Sequence, residues 1–441
     1  LRLAVLAGMG LLILRLAHLQ LLHGAHYRRL AEHNRVRVVP EEAPRGAMVD
    51  RHGRLMASSR TIFRVALVPQ EVQEVEPLLE QVSQLVHQPV SRLRQTLEAQ
   101  RSLAFLPATI VFNVPKATAL RLEEERLSLP GVLVKPETVR DYPLGRAAAH
   151  LLGYLGQPTP EELPLLKPYG VRPQHLIGRM GLEAKLEPYL RGRSGGTVVE
   201  VDHRTRQIRS LGYRTPEAGQ RVELTIDAQL QSLIEQAFGA QPGAAVVLDP
   251  HTGEVLAMVS IPSFAPAAFV TGQPQEVRRV LNDPEAPLLN RATMGAYTPG
   301  SIAKVVIAAA ALEHGLLKRS HTVVCQGSVT IGDRSFHCWN QEGHGPLTLP
   351  EALTVSCNVY FMQVGRWLGA DRITAAMTEA GWSRRTGWPL EERSGTLPHR
   401  RLTEGEVAIL GIGQGEVLVT PLQVAMTAAI VANDGWLVKP W

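Results

Sequence analysis

Apolar positions run almost unbroken from Leu3 to Leu14, are interrupted by Arg15, and continue to Leu22 before the chain turns polar at Gly24. The run falls short of a full bilayer span, and the sequence opens on Leu rather than Met. We expect an uncleaved membrane anchor over residues 1–23 with upstream residues missing. No small-x-small cleavage pattern follows at His23-Gly24-Ala25-His26. Alternation predicts a strand over 35–39, and 44–57 reads as strand, turn, strand with its turn at Asp50 to Gly53. On this reading Asp50 and Arg51 are plain surface-turn residues. Helical spacing marks 72–86, 90–100, 116–126 and 176–190, with short strands at 108–112, 131–134 and 197–201.

A second boundary falls near Pro216 to Gly219, which divides the chain beyond the anchor into domains at 24–217 and 218–441. The later domain begins with a strand over 221–226 and a helix over 228–238. Strands at 244–249 and 254–260 then flank the turn Pro250-His-Thr-Gly253 as an antiparallel hairpin. Pro299-Gly300 stops what precedes it, and the Ala-rich run that follows, to Gly315, is strong helix former. The remainder reads as mostly helical. Strands followed by helices imply an α+β fold, with helices packed on an antiparallel sheet.

At 441 residues the chain is too long for one ordinary domain, and it has no long low-complexity tract. Its net charge of +5 is mild, and no dense basic cluster is interleaved with aromatics. Nucleic acid is therefore not an expected partner; an anionic membrane or wall polymer fits.

The chemistry concentrates after Pro299-Gly300. Ser301 sits at or near a helix N-terminus, where free N–H groups favour developing negative charge. Lys304, three residues on, returns to the same face. A buried amine held neutral is a base for a serine nucleophile, so the pair has the parts of an acyl-transfer site. A lone Ser-x-x-Lys arises by chance about once or twice in a chain this long. Here it follows Pro-Gly, and it is joined downstream by Ser356-Cys357-Asn358, the sole Ser-x-Asn in the sequence.

The chain has three cysteines, Cys325, Cys338 and Cys357, with His344 between the last two. One reading is a Cys325–Cys338 disulfide with Cys357 as a small buried filler beside the site. The other is a tetrahedral Zn²⁺ site of three thiolates and one imidazole. Spacing does not choose between them. Trp339, Trp367 and Trp382 fit core or cleft-wall positions. Glu183 and Arg45 fit either a buried tie between the two domains or a surface salt bridge.

Ser301-x-x-Lys304 and Ser356-x-Asn358 are two of the three elements found in penicillin-binding proteins and class A β-lactamases. Nearly the whole chain resembles class B penicillin-binding proteins, and most of all the penicillin-binding protein 2 group of cell elongation. The resemblance is carried by residues 20–27, Asn34-Arg35, the Arg45-Gly46 to Gly53 turn, Arg140-Asp-Tyr-Pro-Leu-Gly145 and His150-Leu-Leu-Gly-Tyr154. It continues through Gly178-Arg-Met-Gly-Leu-Glu183, Leu224-Thr-Ile-Asp227, Asn290-Arg291, Gly411-Ile-Gly-Gln-Gly415 and Thr420-Pro-Leu-Gln423.

That resemblance implies a membrane-anchored peptidoglycan D,D-transpeptidase, acting outside the bacterial cytoplasmic membrane, with a non-catalytic pedestal or dimerisation-type domain over 24–217. It implies stem peptides as substrates, acylation by β-lactams, and as partners a membrane-embedded SEDS-type glycosyltransferase and elongation-complex scaffold proteins. Ser301 would be the nucleophile, Lys304 its base, and Ser356 and Asn358 the proton relay and substrate-amide contacts. It also favours zinc on Cys325, Cys338, His344 and Cys357, since relatives hold one there with an Asp, His and Cys set. The chain departs from the pattern in lacking a Lys-Ser-Gly or Lys-Thr-Gly. We therefore expect a transpeptidase domain truncated at its C-terminus and, in this form, poorly active. A β-lactamase is disfavoured because no Glu-x-x-Leu-Asn follows the second motif. Residues 24–215 also do not match a glycosyltransferase. A non-catalytic scaffold for a polymerase, or a β-lactam sensor, is the alternative from another class.

Overall fold

The computed structural model describes residues 2–23, 36–72, 74–99, 107–167, 170–173, 175–201, 207–271 and 274–441. Asn34, Arg35, residues 24–27 and the last residue of the helix expected over 90–100 lie outside them. The chain forms two compact units, one of residues 1–47, 59–139 and 188–221, the other of 48–58, 140–187 and 222–441.

In the first unit the apolar N-terminal stretch is a helix, Arg2–Ala17, running on into a π-helical turn, His18–Leu22. Leu11, Leu12, Ile13 and Leu14 are all exposed along it. Among the described residues no helix is long and apolar enough to cross a membrane. Val36–Glu41 pairs antiparallel with Gly195–Val201, which pairs antiparallel with Gln207–Arg214. A second sheet pairs Phe63 to Leu67 antiparallel with Ala108–Val114. The helices Val75–Val86, Val90–Ala99 and Lys116–Glu124 accompany this sheet. Leu78, Leu79 and Val82 recur at helical spacing and share one core with Leu93, Leu122, Val65 and Val111.

The second unit begins from a short strand, Met48–Val49. It pairs antiparallel with Leu55 to Ala57 and parallel with Val222–Glu223 on its other side. The turn between Val49 and Leu55 is not a plain surface turn at Asp50. That side chain is fully buried. One of its carboxylate oxygens accepts from the N–H groups of His52 (2.9 Å) and Arg54 (2.8 Å), and the other from Ala228 (3.2 Å). Ala228 opens the helix Ala228–Phe238, whose own N-cap, Asp227, accepts from Gln229 and Leu230. Two carboxylates thus satisfy one helix start. Burial raises the Asp50 pKa, but the three backbone donors outweigh it and hold the carboxyl below its usual range.

The predicted hairpin is present: Gly243–Leu248 pairs antiparallel with Val255–Ile261. Gln231 of the preceding helix clamps Met258 of this hairpin, donating to its carbonyl at 2.9 Å and accepting from its N–H at 2.8 Å. The helix expected over 176–190 is broken instead. Ile177–Gly178 pairs with Leu155–Gly156, and the short helices Gly181–Lys185 and Glu187–Leu190 follow. Gly181 takes a positive φ of 60° with no room for a side chain, its Cβ position lying 2.5 Å from the Leu151 carbonyl oxygen. Glu183 is buried and ion-paired with Arg140 at 2.6 Å, with Tyr142 donating to the same oxygen at 3.3 Å.

The helical remainder is interrupted as well. Two strand pairs, Val323–Cys325 with Gly345–Leu347 and Ser328–Ile331 with Arg334–His337, lie between the Ser301 helix and the second motif. The Ala-rich helix Ala303–Glu313 is central to its unit, with seven residues buried, Lys304 among them. Its small side chains let Asn358–Leu368 and Ala370–Glu379 pack close around it. Trp382 is buried and donates to the Thr427 hydroxyl at 2.8 Å, whereas Trp367 is partly exposed and Trp339 is 65% exposed.

Asp50→Ala strips an acceptor from three backbone N–H groups and should lower the unfolding free energy by roughly 2–3 kcal/mol, read by urea denaturation. Asp50→Asn should recover part of this. Because the folded-state pKa is depressed, the contribution is present at neutral pH and fades as the pH falls through it. A neutral Asp50→Ala would show that solvent replaces these bonds at no cost.

Candidate active site

Three constraints build the turn that carries Ser301. Tyr297 and Val419 exchange both backbone hydrogen bonds at 2.8 Å, which fixes the approach. The Gly300 N–H donates to the Gly413 carbonyl at 2.9 Å. Gly413 has φ +71°, and a Cβ there would lie 2.1 Å from the Gly300 oxygen, so glycine is required for this close approach. Ser301 then sits in a single 3₁₀ turn, Gly300–Ile302, that feeds the α-helix from Ala303.

Lys304 is one turn further and only 1% exposed. Its Nζ lies 2.8 Å from the Ser356 carbonyl, 3.0 Å from Ser356 Oγ and 2.8 Å from Asn358 Oδ1. Ser356 Oγ lies 2.9 Å from Ser301 Oγ. The four residues singled out in the sequence are therefore one connected chain of groups, and Ser301 reaches Lys304 through Ser356. The second motif makes these contacts by leaving helical geometry. The helix Leu349–Thr354 ends, Ser356 adopts a positive φ of 51°, and a new helix starts at Asn358. A non-glycine residue in the left-handed region is uncommon and costs roughly 1–3 kcal/mol. Here that reversal turns both Ser356 oxygens towards Lys304.

Burial lowers the Lys304 pKa to about 8, against the nearby thiols, which raise it. As an ammonium, Lys304 uses its three N–H donors on the three oxygens around it. As an amine, two N–H groups still serve the Ser356 carbonyl and Asn358 Oδ1, while the lone pair faces Ser356 Oγ. Ser301 can then pass its proton to Ser356 as Ser356 passes its own to Lys304. Proton movement along this path would make the Ser301 hydroxyl a nucleophile.

The cysteines and His344 converge next to this chain. Their four donor atoms lie within 4.8 Å of one another. Cys338 Sγ is 3.7 Å from His344 Nδ1 and 4.0 Å from Cys357 Sγ. Ligands about 2.3 Å from a tetrahedral ion stand about 3.8 Å apart, so these separations fit zinc, and three soft sulfurs with one imidazole suit it chemically. All three cysteines are free of disulfides. Cys357 also caps the helix Asn358–Leu368, its Sγ accepting from the Tyr360 N–H at 3.4 Å. Burial pushes its thiol up to about 12, a cost that a metal-bound thiolate avoids.

Two residues named from the sequence, Gln423 and Trp339, take roles here that the sequence did not reveal. Gln423 Nε2 donates to the carbonyls of Arg384 (2.8 Å) and Ser394 (2.7 Å), while its Oε1 accepts from the Thr420 N–H at 2.9 Å. Thr-x-x-Gln ahead of an apolar run is a capping-box signal that would have placed a helix start there. Trp339 stands on the cluster rather than in a core, donating to the Val355 carbonyl at 3.0 Å and meeting His344 edge-on at 5.1 Å.

Comparison with known proteins gives the family. Residues 243–441 match the penicillin binding protein transpeptidase domain, and residues 40–224 match the penicillin-binding protein dimerisation domain. The peptidoglycan D,D-transpeptidase MrdA of Escherichia coli strain K12 is 34% identical over 458 residues, covering 99% of this chain and 72% of that protein. Among solved structures, the complex between penicillin-binding protein PBP2 and MreC from Helicobacter pylori aligns with a TM-score of 0.74. Identity there is 26%, over 92% of this chain and 78% of that one. A peptidoglycan synthase complex, solved to describe the coordination of polymerization and crosslinking, aligns with a TM-score of 0.74 at 30% identity over 100% of this chain and 80% of that one. The chain belongs to the class B penicillin-binding proteins, in the group that contains penicillin-binding protein 2.

Proposed function

We propose that this protein is a peptidoglycan D,D-transpeptidase that cross-links stem peptides through an acyl-enzyme on Ser301. The observation that carries the reading is the continuous path Ser301 Oγ, Ser356 Oγ, Lys304 Nζ, with steps of 2.9 and 3.0 Å. Ser301 attacks the penultimate D-alanyl carbonyl as its proton moves along this path. The C–N bond breaks, and free D-alanine leaves with a proton returned from Lys304. An acceptor amine on a second stem peptide then displaces Ser301 and restores its hydroxyl. The Ser301 N–H, at the positive end of its helix, serves the developing oxyanion. Asn358 orients Lys304 and offers its amide to the substrate. A β-lactam carbonyl enters the same chemistry and stays as a penicilloyl ester.

Zinc held by Cys325, Cys338, His344 and Cys357 is part of this reading, and it supplies structure rather than reaction chemistry. Cys357 lies between Ser356 and Asn358, so tying its sulfur fixes both neighbours against Lys304. The exposed apolar helix Arg2–Ala17 supports an anchoring role for the N-terminal segment, with the transpeptidase unit outside the cytoplasmic membrane. The relatives solved with MreC and in a peptidoglycan synthase complex support a scaffold protein and a glycan polymerase as partners.

Peptide mass mapping of the full-length protein after benzylpenicillin should show one penicilloyl adduct, on the peptide holding Ser301, and none in Ser301→Ala. A folded protein without an adduct would move the non-catalytic scaffold reading to first place. The acylation rate should rise with pH and level off above about 8, because the neutral amine is the base and its fraction grows through that pKa. Lys304→Arg, charged throughout, should lose at least about a hundredfold and flatten the profile. For the metal, elemental analysis should find one zinc per chain, absent in His344→Ala. Chelation should lower both the melting temperature and the acylation rate of the wild type. Unchanged acylation after complete zinc removal would detach the metal from the active site.

A further inference from the structure

The four donors of the cluster would all be taken by one tetrahedral metal, and two of its sulfurs, on Cys338 and Cys357, lie 4.0 Å apart. We propose, resting on the zinc reading above, that Cys338 and Cys357 are an oxidisable pair. A two-electron oxidant such as hydrogen peroxide joins them as a disulfide, releases the metal and uncouples Ser356 and Asn358 from Lys304.

Their Sγ atoms are 4.0 Å apart, and a disulfide needs about 2.05 Å, so the two sulfurs must together close roughly 2 Å. Both ends are held by backbone hydrogen bonds, the Cys338 N–H on the Gly327 carbonyl at 2.8 Å and the Cys357 N–H on the Ala352 carbonyl at 2.9 Å. Cys357 is flanked by Ser356, which sits in a sparsely populated conformation with φ +51°, and by Asn358. Whatever share of the closure Cys357 takes is therefore passed to the segment that carries Ser356 and Asn358. Contacts of 2.8–3.0 Å from Lys304 to these two residues do not survive a shift of that size. Bridging also withdraws Cys357 Sγ from the Tyr360 N–H that it caps.

Access is from the His344 side, since His344 is the one member of the cluster that is not buried. It is flanked by Gly343 and Gly345, both at positive φ. The chemistry balances without another reactant. One thiolate attacks a peroxide oxygen and becomes a sulfenic acid, releasing hydroxide; the second thiolate displaces hydroxide from that sulfur. Two thiolates lose two electrons, one S–S bond forms, and with two protons the peroxide leaves as two waters. Zinc, left with two of its four ligands, dissociates. Cys325 remains a thiol. An extracytoplasmic compartment is oxidising, so metal occupancy is what keeps these thiols reduced there.

The test takes the full-length protein, measures its zinc by atomic emission, and treats it with hydrogen peroxide. A chromogenic chelator follows zinc release, non-reducing peptide maps locate the cross-link, and a fluorescent penicillin reports acylation. We expect a peptide pair linked through Cys338 and Cys357 and one zinc released per chain. Acylation should be reduced by roughly tenfold or more, returning with dithiothreitol and added zinc. Cys338→Asp cannot form this bridge, so its acylation, whatever its starting level, should not change with peroxide. Zinc retained with all thiols reduced would overturn the proposal, as would a cross-link through Cys325 or a Cys338–Cys357 bridge that leaves acylation unaltered. Absence of zinc before treatment would refute the metal reading instead, and the peptide map of the wild type would still decide the pair.

Discussion

A cationic side chain that is 99% buried must be surrounded by acceptors or give up its proton, and Lys304 is arranged to do either. All three of its oxygen partners belong to Ser356 and Asn358, more than fifty residues away in the chain. Much of the second unit is spent on holding these two segments in register. Gly413 fixes the Ser301 turn from one side, the Tyr297–Val419 bridge fixes its approach, and Gln423 nails the loops that lead to Leu418 and Val419. Removing a partner from Lys304 would leave a buried charge uncompensated, which is far more damaging than losing a surface pair. The same confinement lowers the Lys304 pKa to about 8, so that part of the amine is neutral near neutral pH.

The sulfur cluster is the second layer of this design. Cys357 is at once the residue between two site side chains, the cap of the helix Asn358–Leu368 and a member of the candidate metal site. A metal held here would act on the site through backbone position. The cluster is assembled from the strand pairs at Val323–Cys325 and Arg334–His337, each too short to be stable by itself. A metal held there would tie these short strands to the active-site segment.

Much was legible beforehand. The Ser301, Lys304, Ser356 and Asn358 set came from two short patterns, because a helix start brings residues three apart to one face whatever surrounds it. The helix at Ala228–Phe238 and the Gly243–Leu248 hairpin followed from periodicity and turn chemistry. The strand pairs between Cys325 and Leu347 were not legible: three- and four-residue strands carry too little alternation to rise above a helical background. The run from Leu176 to Leu190 has apolar spacing suited to a helix, yet the close approach of Gly181 to Leu151 breaks it. Local spacing carries no information about such a contact.

Local chemistry in the chain was enough to name the candidate reacting groups and the hairpin frame, since each motif rests on residues within a few positions of one another, whereas the ligand set spread from Cys325 to Cys357 was favoured by the resemblance. What these groups do to each other depended on packing across long separations. Asp50 looks like a turn residue until Ala228 is brought against it. Trp339 fits core or cleft wall from sequence, and the fold leaves it largely exposed beside His344. Burial lowers the Lys304 pKa, and its connection to Ser301 through Ser356 exists because a left-handed residue turns two oxygens back towards Lys304. Solvation and distance set these properties, and both belong to the folded chain.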